Sequence, residues 1–154
     1  MNRNLVAPKV MLPPTLTMLC LLAMIALRLL WPGPVAFPPL LIWAGLPLIL
    51  LGVGINLVAD GEFKRARTPV NPLETPQALL TAGIFGITRN PMYLGFALVL
   101  AGVWLMLGAL TPLAGVLAFV LAVDRGYIPY EEQKLVALFG QDYRDYQRKV
   151  QRWL

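Results

Sequence analysis

Pro91-Met92-Tyr93-Leu94-Gly95-Phe96-Ala97-Leu98-Val99-Leu100-Ala101-Gly102-Val103-Trp104-Leu105-Met106-Leu107-Gly108-Ala109-Leu110 is a run of twenty residues without a charge. An α-helix rises 1.5 Å per residue, so a run of this length covers about 30 Å, the thickness of a bilayer's hydrocarbon core. The proline stands at the first position, where a helix has no N–H to lose. This segment reads as a membrane span and sets the class of the whole chain.

Working outward, three more apolar segments appear: Thr15 to Trp31, Pro39 to Ala59, and Pro112 to Val123. The last is short unless it extends towards Tyr127. Proline and glycine mark the breaks, at Trp31-Pro32-Gly33-Pro34, at Phe37-Pro38-Pro39 and at Gly108 to Pro112. Both intervening connections are short, so each pair of spans should form an antiparallel hairpin. The expected architecture is all-α: an integral membrane helical bundle of about four transmembrane helices with a C-terminal cytoplasmic helical tail. It forms a single domain over residues 1–154. Residues 1–60 make an N-terminal helical hairpin, 61–90 a cytoplasmic connector, and 91–154 a second hairpin and tail that carry the chemistry.

Composition agrees. Hydrophobic residues make up 58% of the chain and charged residues 14%, against about 25% charged in a soluble domain. No histidine is present, which removes the commonest general base and the commonest metal ligand. The lone cysteine, Cys20, lies in an apolar run and reads as a small buried hydrophobe; no metal site is expected. No serine is present, which excludes a serine hydrolase. The first apolar run is followed by Trp31-Pro32-Gly33-Pro34 rather than a small-residue cleavage site, so it reads as a retained span. Gly52-Val53-Gly54 has no strand before it and reads as a close helix contact rather than a dinucleotide fingerprint.

The net charge of +5 bears on topology rather than nucleic acid. With four spans, Arg3, Lys9, Lys64, Arg65, Arg67, Arg89, Arg125, Lys134, Arg144, Arg148, Lys149 and Arg152 fall on one side. Only Arg28, near the far end of the first span, does not. The positive-inside rule then puts both termini in the cytoplasm, in a cell or inner membrane. In the tail, Pro129-Tyr130-Glu131-Glu132 resembles a first helical turn, Gly140 suits a helix C-cap, and Asp142 a new N-cap. Tyr143, Tyr146, Val150 and Trp153 share one face of a last helix, as for an amphipathic helix at headgroup level, with Arg144, Arg148 and Arg152 elsewhere.

Two patches carry chemistry. One is Gly83 to Gly95, around Arg89-Asn90-Pro91-Met92-Tyr93. The other is Arg125 to Leu135, continuing to Phe139-Gly140 and Tyr143. Asn90 and Pro91 also suit a plain helix start, as Thr111 and Pro112 do at the next span. Adjacent Glu131 and Glu132 do not face each other on a helix, so one should face a cavity while the other meets solvent. Both patches flank the cytoplasmic mouth of one hairpin. They should converge into a pocket bearing Arg89, Asn90, Tyr93, Arg125, Glu131 and Glu132.

Arg89-Asn90-Pro91-Met92-Tyr93-Leu94-Gly95, a hairpin, then Glu131-Glu132, Leu135, Phe139-Gly140, Tyr143 and Tyr146 resemble the isoprenylcysteine carboxyl methyltransferase family, itself related to the membrane phospholipid N-methyltransferases. The resemblance covers about Leu79 to Trp153. It implies an S-adenosylmethionine-dependent methyltransferase acting on a lipophilic acceptor at the cytoplasmic membrane face, either an isoprenylcysteine-like carboxylate or a phospholipid-like molecule. It implies cofactor contacts at Gln77, Ala78, Leu79, Leu80 and Phe85, along Arg89, Asn90, Pro91, Met92 and Tyr93, and at Glu131. Catalytic roles fall to Arg125, Glu131 and Glu132: Glu131 to offset the donor's positive charge, Arg125 to orient an anionic acceptor, and Glu132 to take a proton from an amine or thiol. Two positions depart from the family's eukaryotic members: Asn90 stands where they carry His, and Tyr127 where an arginine faces the substrate. Membrane lipids are the expected surroundings, nucleic acid is not a partner, and the oligomeric state is open. A membrane reductase of the sterol reductase type, using NADPH, and a non-catalytic membrane protein are the alternatives.

Overall fold

A computed structural model of the chain describes residues 11–71 and 73–154. Arg3 and Lys9, two of the twelve basic residues placed on one side, lie outside the described residues. Among the described residues five α-helices follow in order: α1 (Pro13–Leu30), α2 (Gly45–Arg65), α3 (Pro91–Leu107), α4 (Leu113–Ala122) and α5 (Ile128–Lys149). Six residues of 3-10 helix, Pro39–Ala44, lead into α2, and a short 3-10 turn, Gly83–Gly86, precedes α3. Among the described residues the only strand-like pairing is an isolated bridge between Val35 and Ala109. The fold is the all-helical membrane bundle the sequence implies. Pro13–Leu30, Pro39–Arg65 and the continuous helix from Leu113 to Lys149 are long and apolar enough to cross a membrane, and Pro91–Leu107 is a shorter apolar helix.

Helices α2 and α3 meet at backbone distance, because both carry glycines seven residues apart. A β-carbon on Gly45 would lie 2.3 Å from the carbonyl oxygen of Gly102, and one on Gly52 would lie 2.5 Å from that of Gly95. In lipid, where apolar side chains gain nothing by leaving one apolar phase for another, such close packing is what joins helices. Gly52 thus makes the expected helix contact, whereas Gly54 has nothing within 4 Å. Helix α1 packs on α4, where Met24 fills the space left by Gly115. Cys20, Met24, Tyr93, Leu100, Val116, Phe119, Val123 and Ile128 form the core. Leu22, Leu29, Leu50, Leu57, Leu117 and Leu121 are exposed, as lipid-facing residues should be.

Several expectations about helix ends are corrected. The fourth span does not stop at Val123. It passes through a π-helical turn, Val123–Tyr127, directly into α5, and the N–H of Ile128 donates to Val123 O, five residues back. Pro129 has no N–H to give, and the widened turn absorbs that loss inside a continuous helix. Pro129-Tyr130-Glu131-Glu132 is therefore not a separate helix start. The apolar part of this helix ends at Val123; from Asp124 onward it carries charge, and Glu131 lies about two turns beyond that point. The expected break at Gly140 is found: its φ 54° and ψ −118° lie outside the helical region and divide α5 into two helical segments. Helix α5 ends at Lys149, so Val150 and Trp153 leave the helical face that Tyr143 and Tyr146 share. Those two tyrosines are buried inside the protein, not at the headgroups. Neither Asn90 nor Thr111 caps a helix with its side chain. Thr111 Oγ1 instead donates to the carbonyls of Trp31 and Pro32, at 2.6 and 2.9 Å. Nearby, Arg28 Nε donates to Leu107 O at 2.8 Å and ties the two hairpins together at their far end.

Candidate functional site

The site begins where Gly83, at φ 60°, turns the chain into its short 3-10 helix and buries Phe85 under the ring of Phe63, 5.4 Å away edge-to-face. Residues 88–90 then run beside the segment that follows α5. The Arg89 N–H donates to Gln151 O at 3.0 Å, and Asn90 Nδ2 and Thr88 Oγ1 donate to Arg152 O at 2.9 and 3.2 Å. Asn90 spends its amide on this crossing, not on capping α3.

Arg89 is the hub. Its Nη1 donates to Gln147 O and Val150 O, at 3.0 and 2.7 Å, carbonyls that the end of α5 leaves without helical partners. Its Nη2 donates to Glu132 Oε1 at 2.7 Å. Arg152 Nη2 takes the other oxygen of Glu132, also at 2.7 Å, and Arg152 Nη1 reaches Asp124 at 3.3 Å. Trp153 Nε1 donates to the same Asp124 oxygen at 3.1 Å. Burial alone would raise Glu132, but hydrogen bonds from Arg152 and Arg89 hold it below the usual carboxylate range.

Glu131 is the opposite case. The Tyr93 hydroxyl donates to its Oε1, and no guanidinium touches it among the described contacts. Burial pushes its carboxyl up to about 7; the Tyr93 hydrogen bond and the charge of Lys134 pull down against that. The neighbouring glutamates therefore divide, but not as expected. Both are half-buried: Glu132 is fixed and ionised, whereas Glu131 sits near its titration point.

Two adjoining chambers meet at this residue. The polar one is lined by Pro69, Asn71 and Ala78 to Leu80, by Phe85, and by Glu131, Glu132, Lys134, Tyr143 and Tyr146 of α5. The apolar one is larger, ≈ 270 against ≈ 120 Å³. Leu12, Pro13 and Pro14 at the head of α1 and Pro91, Met92, Tyr93 and Phe96 of α3 form its walls. Phe85, Arg89, Asn90 and Glu131 belong to both.

Of the residues singled out from sequence, Ala78, Leu79 and Leu80 line the polar chamber, Pro91, Met92 and Tyr93 the apolar one, and Phe85, Arg89, Asn90 and Glu131 their shared wall. Glu132 lines the polar chamber. Gln77 lines neither; its backbone N–H donates to Thr68 Oγ1 at 2.9 Å. Arg125 is not brought in: its side chain is 80% exposed, 3.7 Å from Asp124, on the same stripe as lipid-facing Leu117 and Leu121, four residues apart. The charges near Glu132 come instead from Arg89 and Arg152. Sequence reasoning missed Arg152, Asp124 and Trp153, because continuing the last helix to Trp153 points Arg152 outward. The chain leaves the helix after Lys149, and no residue pattern announces it.

A family model described as phospholipid methyltransferase matches residues 40–142. The chain is 34% identical over 113 residues to a probable protein-S-isoprenylcysteine O-methyltransferase of Oryza sativa subsp. indica, covering 70% of this chain and 58% of that protein. It is 33% identical over 111 residues to protein-S-isoprenylcysteine O-methyltransferase B of Arabidopsis thaliana, covering 69% and 55%. An uncharacterized protein of Haemophilus influenzae is 41% identical over 63 residues, its whole length and 41% of this chain. The chain thus spans a little over half the length of the plant relatives. The matched residues take in α2, α3, α4 and the part of α5 that bears Glu131 and Glu132, and on this ground the chain belongs to the phospholipid methyltransferase family.

Proposed function

We propose that this protein is an S-adenosylmethionine-dependent methyltransferase acting on a lipophilic acceptor, isoprenylcysteine-like or phospholipid-like, at the cytoplasmic face of the membrane. The observation that carries the reading is the pair of adjoining chambers, one with more charged and amide groups on its walls than the other, sharing Glu131. A transferase working between cytosol and bilayer needs such an arrangement: a polar recess for a soluble donor, an apolar one for a lipid, and a common wall where the two meet.

The polar chamber's chemistry fits the donor. Phe63, Phe85, Tyr143 and Tyr146 offer aromatic surface for a purine, Asn71 and Asn90 offer amides, and Glu131 offers a carboxylate to a cation. When bound, S-adenosylmethionine supplies a methyl group on a sulfonium, which a nucleophile displaces in line. That reaction needs no protonation of the leaving group, so the absence of histidine is no obstacle. The protein's work is to hold donor and acceptor in line and keep water out.

Glu131 is suited to both charge tasks considered for the two glutamates. Ionised, it balances a cationic donor. Near its titration point, it can also accept a proton from an amine or thiol. Glu132, held by two guanidinium groups, is a poor proton acceptor and an effective brace. Arg125 is placed to hold an anionic lipid headgroup outside the bundle rather than the acceptor. Lys64, Arg65, Arg125, Arg144, Arg148 and Lys149 cluster beyond the same ends of the spans as the two chambers, which supports a cytoplasmic site.

The test is transfer of labelled methyl from S-adenosylmethionine into a lipid extract by detergent-purified protein. Label in an organic-soluble product, lost in Glu131→Gln, supports the reading. No transfer to any lipid fraction, together with stabilisation by NADPH, would favour a reductase.

A further inference from the structure

The segment after α5 brings Arg152 to a place that the proposed chemistry does not itself require. Arg152 Nη2 bonds Glu132 Oε2 at 2.7 Å, Nη1 bonds Asp124 at 3.3 Å, and its carbonyl accepts from Asn90 and Thr88. One residue therefore touches the π-helical turn, Glu132 and the start of α3. Glu132 is 14% exposed and receives a guanidinium on each oxygen, from Arg89 and Arg152. Arg89 also serves the two carbonyls at the end of α5, so Arg152 is the partner whose side chain is committed to the carboxylates alone.

The consequence falls on the next residue. Glu131 has around it Tyr93 from α3 and Glu132 and Lys134 from its own helix, with Tyr127 behind Tyr93, 6.3 Å away ring to ring. Arg89 and Tyr143 lie beyond Glu132. Lys134 Nζ donates to Glu74 O. Two adjacent carboxylates at a half-buried site each disfavour the other's ionisation. Glu132 does raise Glu131, and the two guanidiniums on Glu132 carry the opposite sign, so their field opposes it.

We propose that Arg152 is a positioning residue: it neutralises and fixes Glu132, and so leaves Glu131 free to hold an open carboxylate at the junction of the two chambers. The charge effect is a property of the fold; its use in binding a cationic methyl donor rests on the function proposed above.

The primary measurement needs no ligand. The protonated-carboxyl infrared band that disappears in Glu131→Gln is followed against pH in detergent-purified protein. Removing Arg152 leaves Glu132 less compensated, which disfavours ionised Glu131, so the midpoint in Arg152→Ala moves to higher pH. Arg152→Lys restores it in large part, because charge is the operative property. Arg152→Ala combined with Glu132→Gln brings it back to or below the wild-type midpoint, since the uncompensated charge is then gone. Arg148→Ala, which removes an exposed guanidinium paired with Asp145, leaves it in place. If Arg152→Ala alone does not fold, the charge-balanced double variant and Arg152→Lys carry the comparison. A midpoint unmoved in Arg152→Ala, or one that Glu132→Gln fails to bring back, overturns the proposal. In a second measurement, S-adenosylmethionine should bind Arg152→Ala several-fold more weakly than wild type at pH 7. Failure of wild type to bind it at any pH would count against the methyl-donor reading, while the infrared midpoints still decide the role of Arg152.

Discussion

Tyr93 and Glu131, on different helices and 38 positions apart, share a hydrogen bond at the wall common to the two chambers. That bond stabilises the ionised carboxylate and works against burial. In Tyr93→Phe the opposing influence is lost, so Glu131 should titrate at higher pH than about 7. The ring and its packing are kept, so the stability loss should be about 1–3 kcal/mol, that of a carboxylate left without its donor. The pH profile of donor binding, with thermal unfolding alongside, checks both parts.

Glu132 and Arg89 form a largely buried pair, with side chains 14% and 11% exposed. Arg89→Ala leaves Glu132 with Arg152 alone and takes the donor from two carbonyls at the end of α5, so it should cost about 3 kcal/mol. Because Glu132 is held ionised below the usual carboxylate range, the stability it contributes is present above its unfolded-state pKa and is lost as pH falls through its lower folded value. Acid unfolding should show this loss in wild type and a smaller one in Arg89→Ala, where Arg152 still holds Glu132 down.

Arg125→Ala should leave donor binding and methyl transfer within about twofold of wild type. Its exposed side chain has only Asp124 nearby, at 3.7 Å, an arrangement typically worth about 0–1 kcal/mol. Reconstitution into vesicles with and without anionic lipid tests whether its contribution lies at the headgroups instead.

Gly95→Ala should weaken the α2–α3 contact. The added β-carbon would lie 2.5 Å from Asn56 Oδ1 and 2.7 Å from Gly52 O, and the backbone oxygen cannot move aside without separating the helices. A loss of about 1–3 kcal/mol is expected, read as a lower unfolding midpoint in detergent. Gly54→Ala has open space around its β-carbon and should be nearly neutral.

A larger side chain in the apolar chamber separates its role from that of the polar one. Met92→Trp, on a wall that only the apolar chamber uses, should raise the KM for a lipid acceptor about tenfold. Donor affinity should stay within about twofold. Steady-state kinetics with each substrate varied in turn give the split.

How much of this was legible in the sequence follows from which forces write themselves into residue patterns. The uncharged runs reveal the spans, because lipid excludes charge over a fixed length. Gly52 was readable as a close helix contact, though not its pairing with Gly95 across α2 and α3, which depends on register. Arg89, Asn90, Tyr93 and Glu131 were found because they lie in dense polar patches at span ends. The division of labour between Glu131 and Glu132 was not legible, since it depends on Arg152, twenty residues away and beyond the end of a helix. Pro129 misled for a physical reason: it usually opens a helix, but here a π-helical turn accommodates it inside one. Gly140, by contrast, was legible: its positive φ of 54° interrupts the helix where the sequence put a boundary.

The central claim is that Glu131 is the carboxylate that receives a cationic methyl donor, and calorimetric titration of S-adenosylmethionine against detergent-purified protein from pH 5.5 to 8.5 tests it most directly. A carboxyl that titrates near 7 in the free protein, and lower once a cation is bound, gives affinity that rises with pH up to about 7 and is level above it. Glu131→Gln should bind at least tenfold more weakly at pH 8, with the pH dependence lost. Equal affinity in wild type and Glu131→Gln across the range, or no binding by well-folded wild-type protein, would contradict the account.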